Sequence, residues 1–195
     1  MASLDDITRV LERPPRRVIY EEARTAAVAA LVTPSLDLVL IHRATYEGDP
    51  WSGHVSFPGG RMEDRDPSAL HAAIRETWEE IGVRLDPAQA LGELDPVPTI
   101  SPLPPLLVRP FVFALEEEPA FDTNGEVVSV HTVGLARLLR GEGRGEMQRT
   151  WDGHTFTLPK VDFDGVRLWG LTLRMVDDLL HRLDGRGIGL ERPRR

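Results

Sequence analysis

Residues 57–83 read FPGGRMEDRDPSALHAAIRETWEEIGV, and the helix they encode constrains this chain more than any other stretch. Pro67 suits a first helical turn, Asp66 stands where a cap belongs, and Gly82 supplies a C-terminal stop. At about 100° per residue, Leu70, Ile74, Trp78 and Ile81 fall on one side, with Glu76, Glu79 and Glu80 roughly opposite. The expectation is a helix with one core-facing side and one acidic side. A solvated face is the ordinary explanation for a pair of helical glutamates. Three at i, i+3 and i+4 are harder to place, because each like-charge pair costs roughly 0.2–0.5 kcal/mol and Arg75 is the immediate offset. A divalent cation is the natural reason to hold them together, and hard oxygen ligands suit magnesium or manganese.

Composition narrows the setting. A chain of 195 residues with 41% hydrophobic content supports one domain with a substantial core. The formal net charge of -8 argues against a general binder of nucleic-acid backbones, although a small anionic substrate remains open if metal ions bridge it. Without cysteine there is neither a disulfide nor a thiolate metal site, so any metal sits on oxygen or imidazole. The N-terminus MASLDDITRVLERPP lacks the apolar run of a signal peptide and no segment is long enough for a membrane span, so the expected location is cytoplasmic.

Along the chain, Ser3 followed by Asp6, with Leu4, Ile7, Val10 and Leu11 at helical spacing, predicts a short capped helix on the outside of the fold. AAVAALV (26–32) and LDLVLIHR (36–43) predict a buried hairpin, and 55–57 a short strand before the glycines. Further strands are expected over 90–94, 106–115 and 126–133, with a proline-rich loop at 96–105 and a brief helix at 134–140. The Asp152-Gly153 and Asp164-Gly165 pairs are hairpin signals flanking TFTLPKVDF, and 171–183 is an amphipathic closing helix. The predicted organisation is an N-terminal helix and linker (1–22), one main domain (23–183) and a flexible tail (184–195).

Gly60, Arg75, Glu76, Glu79, Glu80 and Gly82 stand in the order G...REXXEEXG, which closely resembles the Nudix hydrolase signature. One extra residue separates Gly60 from Arg75, and Asp66 replaces the usual glutamate; the longer spacing resembles the coenzyme A diphosphatase branch. Upstream, LVLIHRATYEGDPWSGHVSFPGG is similar to that branch's coenzyme A motif, with Gly53 and FPGG matching and Asp49 where an arginine is expected. LGELDPVPT, VRPFVF and LWGLTLRMVDDLL resemble later family segments, whereas TISPLPPLL departs from the usual glycine-bearing loop.

The resemblance implies an α/β fold, the Nudix α/β/α sandwich with a mixed β-sheet between helices. It implies hydrolysis of a nucleoside diphosphate linked to another moiety, with coenzyme A or a derivative leading. Other linked nucleotides, such as ADP-ribose, dinucleoside polyphosphates or nucleotide sugars, stay open, as does a catalytically silent nucleotide sensor. The implied metal ligands are Glu76, Glu79, Glu80 and the Gly60 carbonyl, for Mg2+ or Mn2+, with Glu79 and Glu80 catalytic and Arg75 orienting a neighbouring carboxylate. Alone, PGG reads as a turn, and its glycines allow close approach of backbone to metal or phosphate. Glu126 is the first candidate for general base or further ligand, because family members often carry a glutamate before that strand. Arg43 and Arg61 are candidates to grip phosphates, and Trp51 to stack on a base. Glu116, Glu117 and Glu118 read as a polar loop, His54 as a loop hydrogen-bonder and Trp169 as core. The expected partner is a small nucleotide-diphosphate substrate, with no nucleic acid and no membrane; a homodimer is compatible with the sequence.

Overall fold

The computed structural model describes residues 2–16, 24–48, 51–99, 106–151 and 153–185. Its centre is a mixed sheet whose strands are apolar on both faces, the pattern of a sheet covered on two sides. Strand β1 (Arg24–Val32) runs parallel to β7 (Leu106–Ala114) over nine residue pairs, from Arg24 beside Leu106 to Val32 beside Ala114. The tight turn after β1 brings back β2 (Asp37–Arg43), but the two strands pair only at Val32 and Leu38 before diverging. Into the gap beside β1 comes β4 (Gly59–Arg61), antiparallel, with Ala27 opposite Gly60. Strand β2 in turn carries β3 (Val55–Ser56) and β8 (Val127–Gly134). On the far side β7 pairs with β5 (Ala90–Glu93) and with β6 (Val97–Pro98). Strand β6 lies inside the proline-rich segment read as loop; residues 100–105 fall outside the described residues.

Alternation along the strands separates two cores. Ala27, Ala29, Leu31, Val39, Ile41, Phe111 and Phe113 pack with Ala69, Ala72, Ala73 and Ile81 of helix α2 (Ala69–Ile81). Ala26, Ala30, Leu38, Leu40 and Val112 face the other way, toward helix α1 (Leu4–Leu11) and helix α4 (Gly170–Asp184), which contribute Ile7, Leu11, Leu173, Val176 and Leu179. This is the α/β/α layering expected. Helix α1 has the predicted capping box between Ser3 and Asp6, yet it is no outside decoration: Ile7 and Leu11 are buried in the core. Helix α3 (Leu135–Leu139) follows β8. A second, three-stranded sheet of β9 (Arg144–Trp151), β10 (His154–Phe163) and β11 (Val166–Trp169) realises the two hairpin signals, although Asp152 itself lies outside the described residues. The boundary proposed at 22–23 and most of the tail from 184 also lie outside them.

Three readings change. The PGG segment is not a free turn: Gly59 and Gly60 form β4, the Pro58 carbonyl accepts from the Ala29 amide at 2.8 Å, and Gly59 adopts φ +147. Helix α2 starts after Ser68, whose hydroxyl accepts from the His71 amide, leaving Asp66 for a different task. The helix is also rotated from its expected facing. Trp78 is 45% exposed, with Arg84 4.2 Å above its ring, whereas Glu80 is only 2% exposed. The small side chains Ala69, Ala72 and Ala73 allow α2 to lie close on β1, so the bulky Trp78 is turned out and one flank of the acidic side is carried under the helix.

Candidate active site

The site forms where α2 crosses β4, so the glycines and the glutamates meet. Glu80 Oε2 accepts from the Gly59 amide at 2.8 Å, and its Oε1 faces Arg43 Nη1 at 3.4 Å. One turn earlier, the Glu76 carboxyl lies against Gly60 so closely that a Cβ there would stand 2.5 Å from it. Only glycine leaves that space. Glu79, on the exposed flank, meets Arg75 at 3.0 Å and Arg65 at 3.3 Å.

Arg75 is the organiser expected of it. Its guanidinium donates to both oxygens of Asp66, at 2.9 and 3.0 Å, to Glu76 at 2.8 Å and to the Arg61 carbonyl at 3.2 Å. Asp66 therefore acts as a buried counter-ion that fixes the arginine, and the Glu63 amide donates to it as well. The hydrogen bonds from Arg75 hold the Asp66 carboxyl below the usual carboxylate range against the opposing effect of burial. Burial pushes Glu76 upward, opposed by Arg75 and reinforced by the charges of Glu79 and Glu126. Glu80 is pushed up to about 8, chiefly by burial, against the pull of the Gly59 amide and Arg43 and with further repulsion from Glu76 and Glu126.

Glu126 is exposed in the turn just before β8, and its charge acts on both Glu76 and Glu80. Its approach is set by a loop clasped to the end of α2: the Asp122 amide donates to the Ile81 carbonyl at 3.0 Å, and the Asn124 amide to that of Glu80 at 3.1 Å. The Glu126 carbonyl in turn accepts from the Ala44 amide at 2.8 Å. A helix, a glycine strand and a clasped loop thus converge on one carboxylate cluster.

The NUDIX domain family matches residues 23–151, which span the helix, the glycine strand and the clasped loop. The chain belongs to the Nudix family. The mitochondrial coenzyme A diphosphatase of Mus musculus is 31% identical over 176 residues, covering 87% of this chain and 84% of that protein. The human mitochondrial coenzyme A diphosphatase is 34% identical over 67% of this chain, and the match spans 56% of its length. Among solved structures, a MutT protein from Methanosarcina mazei superposes with a TM-score of 0.56 at 16% identity, over 88% of this chain and 99% of that one. The fold is accordingly the Nudix fold and the chain a Nudix hydrolase. No helix among the described residues is long and apolar enough to cross a membrane.

Nudix enzymes generally use divalent metals. Among the described residues, no three His, Asp or Glu side chains stand as a ready metal cage. Arginines neutralise the cluster: Arg75 bridges Glu76 and Glu79, Arg65 meets Glu79, and Arg43 meets Glu80. The donor chemistry nonetheless fits a hard cation, with carboxylates crowded on one another and a glycine backbone against Glu76 where no side chain can intrude.

The remaining candidates divide. Arg43 reaches the cluster through Glu80, whereas the Arg61 side chain is exposed and its carbonyl is held by Arg75. Trp51 is partly buried and packs against the main core. Trp169 is not core: it is half-buried beside His54 and Trp151, a grouping that no spacing in the sequence reveals because its members come from three separate strands or loops. Asp66 was legible as the residue at the place of the box glutamate, but its pairing with Arg75 needs the turn at residues 63–66 to be seen.

Proposed function

We propose that this Nudix hydrolase cleaves the diphosphate of a nucleoside diphosphate linked to another moiety, with coenzyme A or a derivative as substrate, giving 3',5'-ADP and 4'-phosphopantetheine. The observation that carries the reading is the cluster of Glu76, Glu79 and Glu80 against the Gly59–Gly60 backbone, with Glu126 close enough to act electrostatically on two of them. The similarity to the mouse coenzyme A diphosphatase over 87% of the chain supports the choice of substrate.

A diphosphate repels nucleophiles, so its hydrolysis needs positive charge on the oxygens and a positioned water. Glu76, Glu79, Glu80 and the Gly60 carbonyl would hold Mg2+ or Mn2+, which supplies charge neutralisation and a more acidic water when bound. The chain's own groups do the rest. Arg75, fixed by Asp66, keeps Glu76 and Glu79 aligned. The Gly59 amide and Arg43 stabilise the ionised form of Glu80, the form that ligation requires. Glu126 is the proposed base: its carboxylate takes the proton of the attacking water as the new phosphorus–oxygen bond forms and the bridging oxygen leaves. Arg43 and Arg61 are the proposed phosphate contacts.

The test is a hydrolysis screen of the purified protein with Mg2+ and Mn2+ against coenzyme A, ADP-ribose, nucleotide sugars and dinucleoside polyphosphates, with product identification. Release of 3',5'-ADP and 4'-phosphopantetheine at the highest kcat/KM supports the reading. Preference for ADP-ribose or another linked nucleotide would keep the reaction and replace the substrate.

A further inference from the structure

The three-stranded sheet adds a feature that the carboxylate cluster does not use. On it, the Trp151 and Trp169 rings lie 6.4 Å apart and within 28° of parallel. The Arg149 guanidinium sits over both, 4.7 Å from the centre of Trp169 and 5.8 Å from that of Trp151. The His54 ring meets Trp169 edge-on at 4.7 Å. Trp151 is 45% exposed and its ring also meets that of Phe156, itself 46% exposed, at 5.7 Å, so the aromatic group forms a continuous exposed patch.

The place of this wall is fixed by strand register. Ile41 pairs with Ser56 and His42 with Val55, and the Arg43 amide donates to the His54 carbonyl at 3.0 Å. Val39 and Ile41 place alternate side chains of β2 on the face packed by α2, and His54 sits beside Arg43 just before β3, its own amide donating to the Trp51 carbonyl. Arg43 reaches Glu80 on that face. The wall therefore begins one strand spacing, about 4.8 Å, and one ring contact away from the arginine that touches the carboxylate cluster.

We propose that Trp151 and Trp169, with Arg149 above them, form the stacking surface for the base of the nucleoside diphosphate whose diphosphate lies at the Glu76–Glu80 cluster. This rests on the hydrolase reading above and adds the recognition element. A purine offers the flat, electron-poor face that an indole stacks on. Arg149 adds a cation beside an anionic ligand in a protein of net charge -8, where such a ligand otherwise meets mostly carboxylates. Trp169 and His54 are half-buried and hold the geometry, and the exposed Trp151 is the face presented.

Two measurements on the full chain test this. In steady-state hydrolysis, Trp151→Ala should raise KM for the best nucleotide substrate about tenfold, the factor that 1.4 kcal/mol of lost stacking produces. kcat should stay within about twofold and Trp151→Phe should recover most of the loss. In metal-free buffer, ADP should quench the tryptophan emission of the parent, and inorganic pyrophosphate, which has no base, should not. Trp151→Ala should lose that quench. An unchanged KM in Trp151→Ala, or equal quenching by ADP and pyrophosphate, overturns the proposal. So does a parent dimer that dissociates in Trp151→Ala, since the wall would then be a subunit interface. If the parent hydrolyses none of the panel, the reaction reading fails on that ground, and the ADP titration still decides whether the wall binds a base.

Discussion

The Gly59 amide donates to Glu80 Oε2 at 2.8 Å, tying a strand that opens on two glycines to a glutamate that has almost no exposure. The next residue along the strand has the opposite relation, since Gly60 yields its Cβ space to the Glu76 carboxyl. Adjacent glycines thus serve different ends, and substitution separates them. A Cβ on Gly59 would stand 2.3 Å from the Ala27 carbonyl oxygen, and its φ of +147 disfavours any side chain. Gly59→Ala should destabilise the fold by roughly 3 kcal/mol or more. Gly60→Ala meets only the movable end of Glu76, so it should cost about 1 kcal/mol yet lower kcat at least about tenfold by displacing a proposed ligand. Urea melts set beside kinetics on both variants check the contrast.

Glu80 governs how the metal-free protein responds to pH. Its carboxyl is raised from the ordinary 4.5 to about 8, so the folded state favours the protonated form. The stability this confers is complete below pH 4.5 and is lost as pH rises toward 8. Glu80→Gln keeps an acceptor for the Gly59 amide and cannot ionise. Without metal above pH 8 it should melt on the order of 5 °C above the parent, and the two should converge in acid. Magnesium should raise the parent's Tm and leave the variant's unchanged. A parent whose metal-free Tm is flat across this window would remove the burial argument.

Asp66 carries the reverse dependence. Its carboxyl is lowered, foremost by the hydrogen bonds from Arg75, so its stabilising effect is present above its ordinary value of 3.8 and fades as pH falls through the lower folded value. Asp66→Asn should cost roughly 1–3 kcal/mol at neutral pH, a difference that shrinks in acid. Denaturant titrations at several pH values give the comparison. A constant difference at every pH would show that packing, and not charge, sets the effect.

The proposed base makes a kinetic prediction. Glu126 is exposed, and its backbone amide is held at the loop end by donating to Asn124 Oδ1 at 2.9 Å, so Glu126→Gln should fold normally. Turnover should fall at least about a hundredfold with little change in KM, and part should return at high pH as hydroxide replaces the base. Unchanged turnover would move the base elsewhere, with Glu93 the next glutamate to substitute, although it is held by Arg109 at 2.6 Å.

What the sequence revealed depends on how local the cause is. Helix α2 ends where Gly82 adopts φ +70, and α1 begins at its Ser3–Asp6 box, because both signals act within one turn. The three candidate glutamates were legible because their spacing lies within a single helix, whereas Gly60 joins them from β4. The facing of α2 was not, since the apolar count favoured Trp78 while close approach of three alanines to β1 turned that residue to solvent. Burial of Glu80 follows from the same rotation and needs the Gly59 amide, which enters from another strand. The aromatic wall was hidden for a similar reason: His54, Trp151 and Trp169 meet only when β3 and β11 lie side by side.

If the glutamates of α2 form the hydrolytic centre, Glu79→Gln should remove activity and spare the fold. Glu79 is 42% exposed and makes contacts only with Arg75 and Arg65 among its described ion pairs, so its loss should leave the fold intact. The measurement is coenzyme A turnover by parent and variant at saturating Mg2+, with Tm recorded on the same samples. kcat should fall at least about a hundredfold at an unchanged Tm. Turnover within a few-fold of the parent would contradict it.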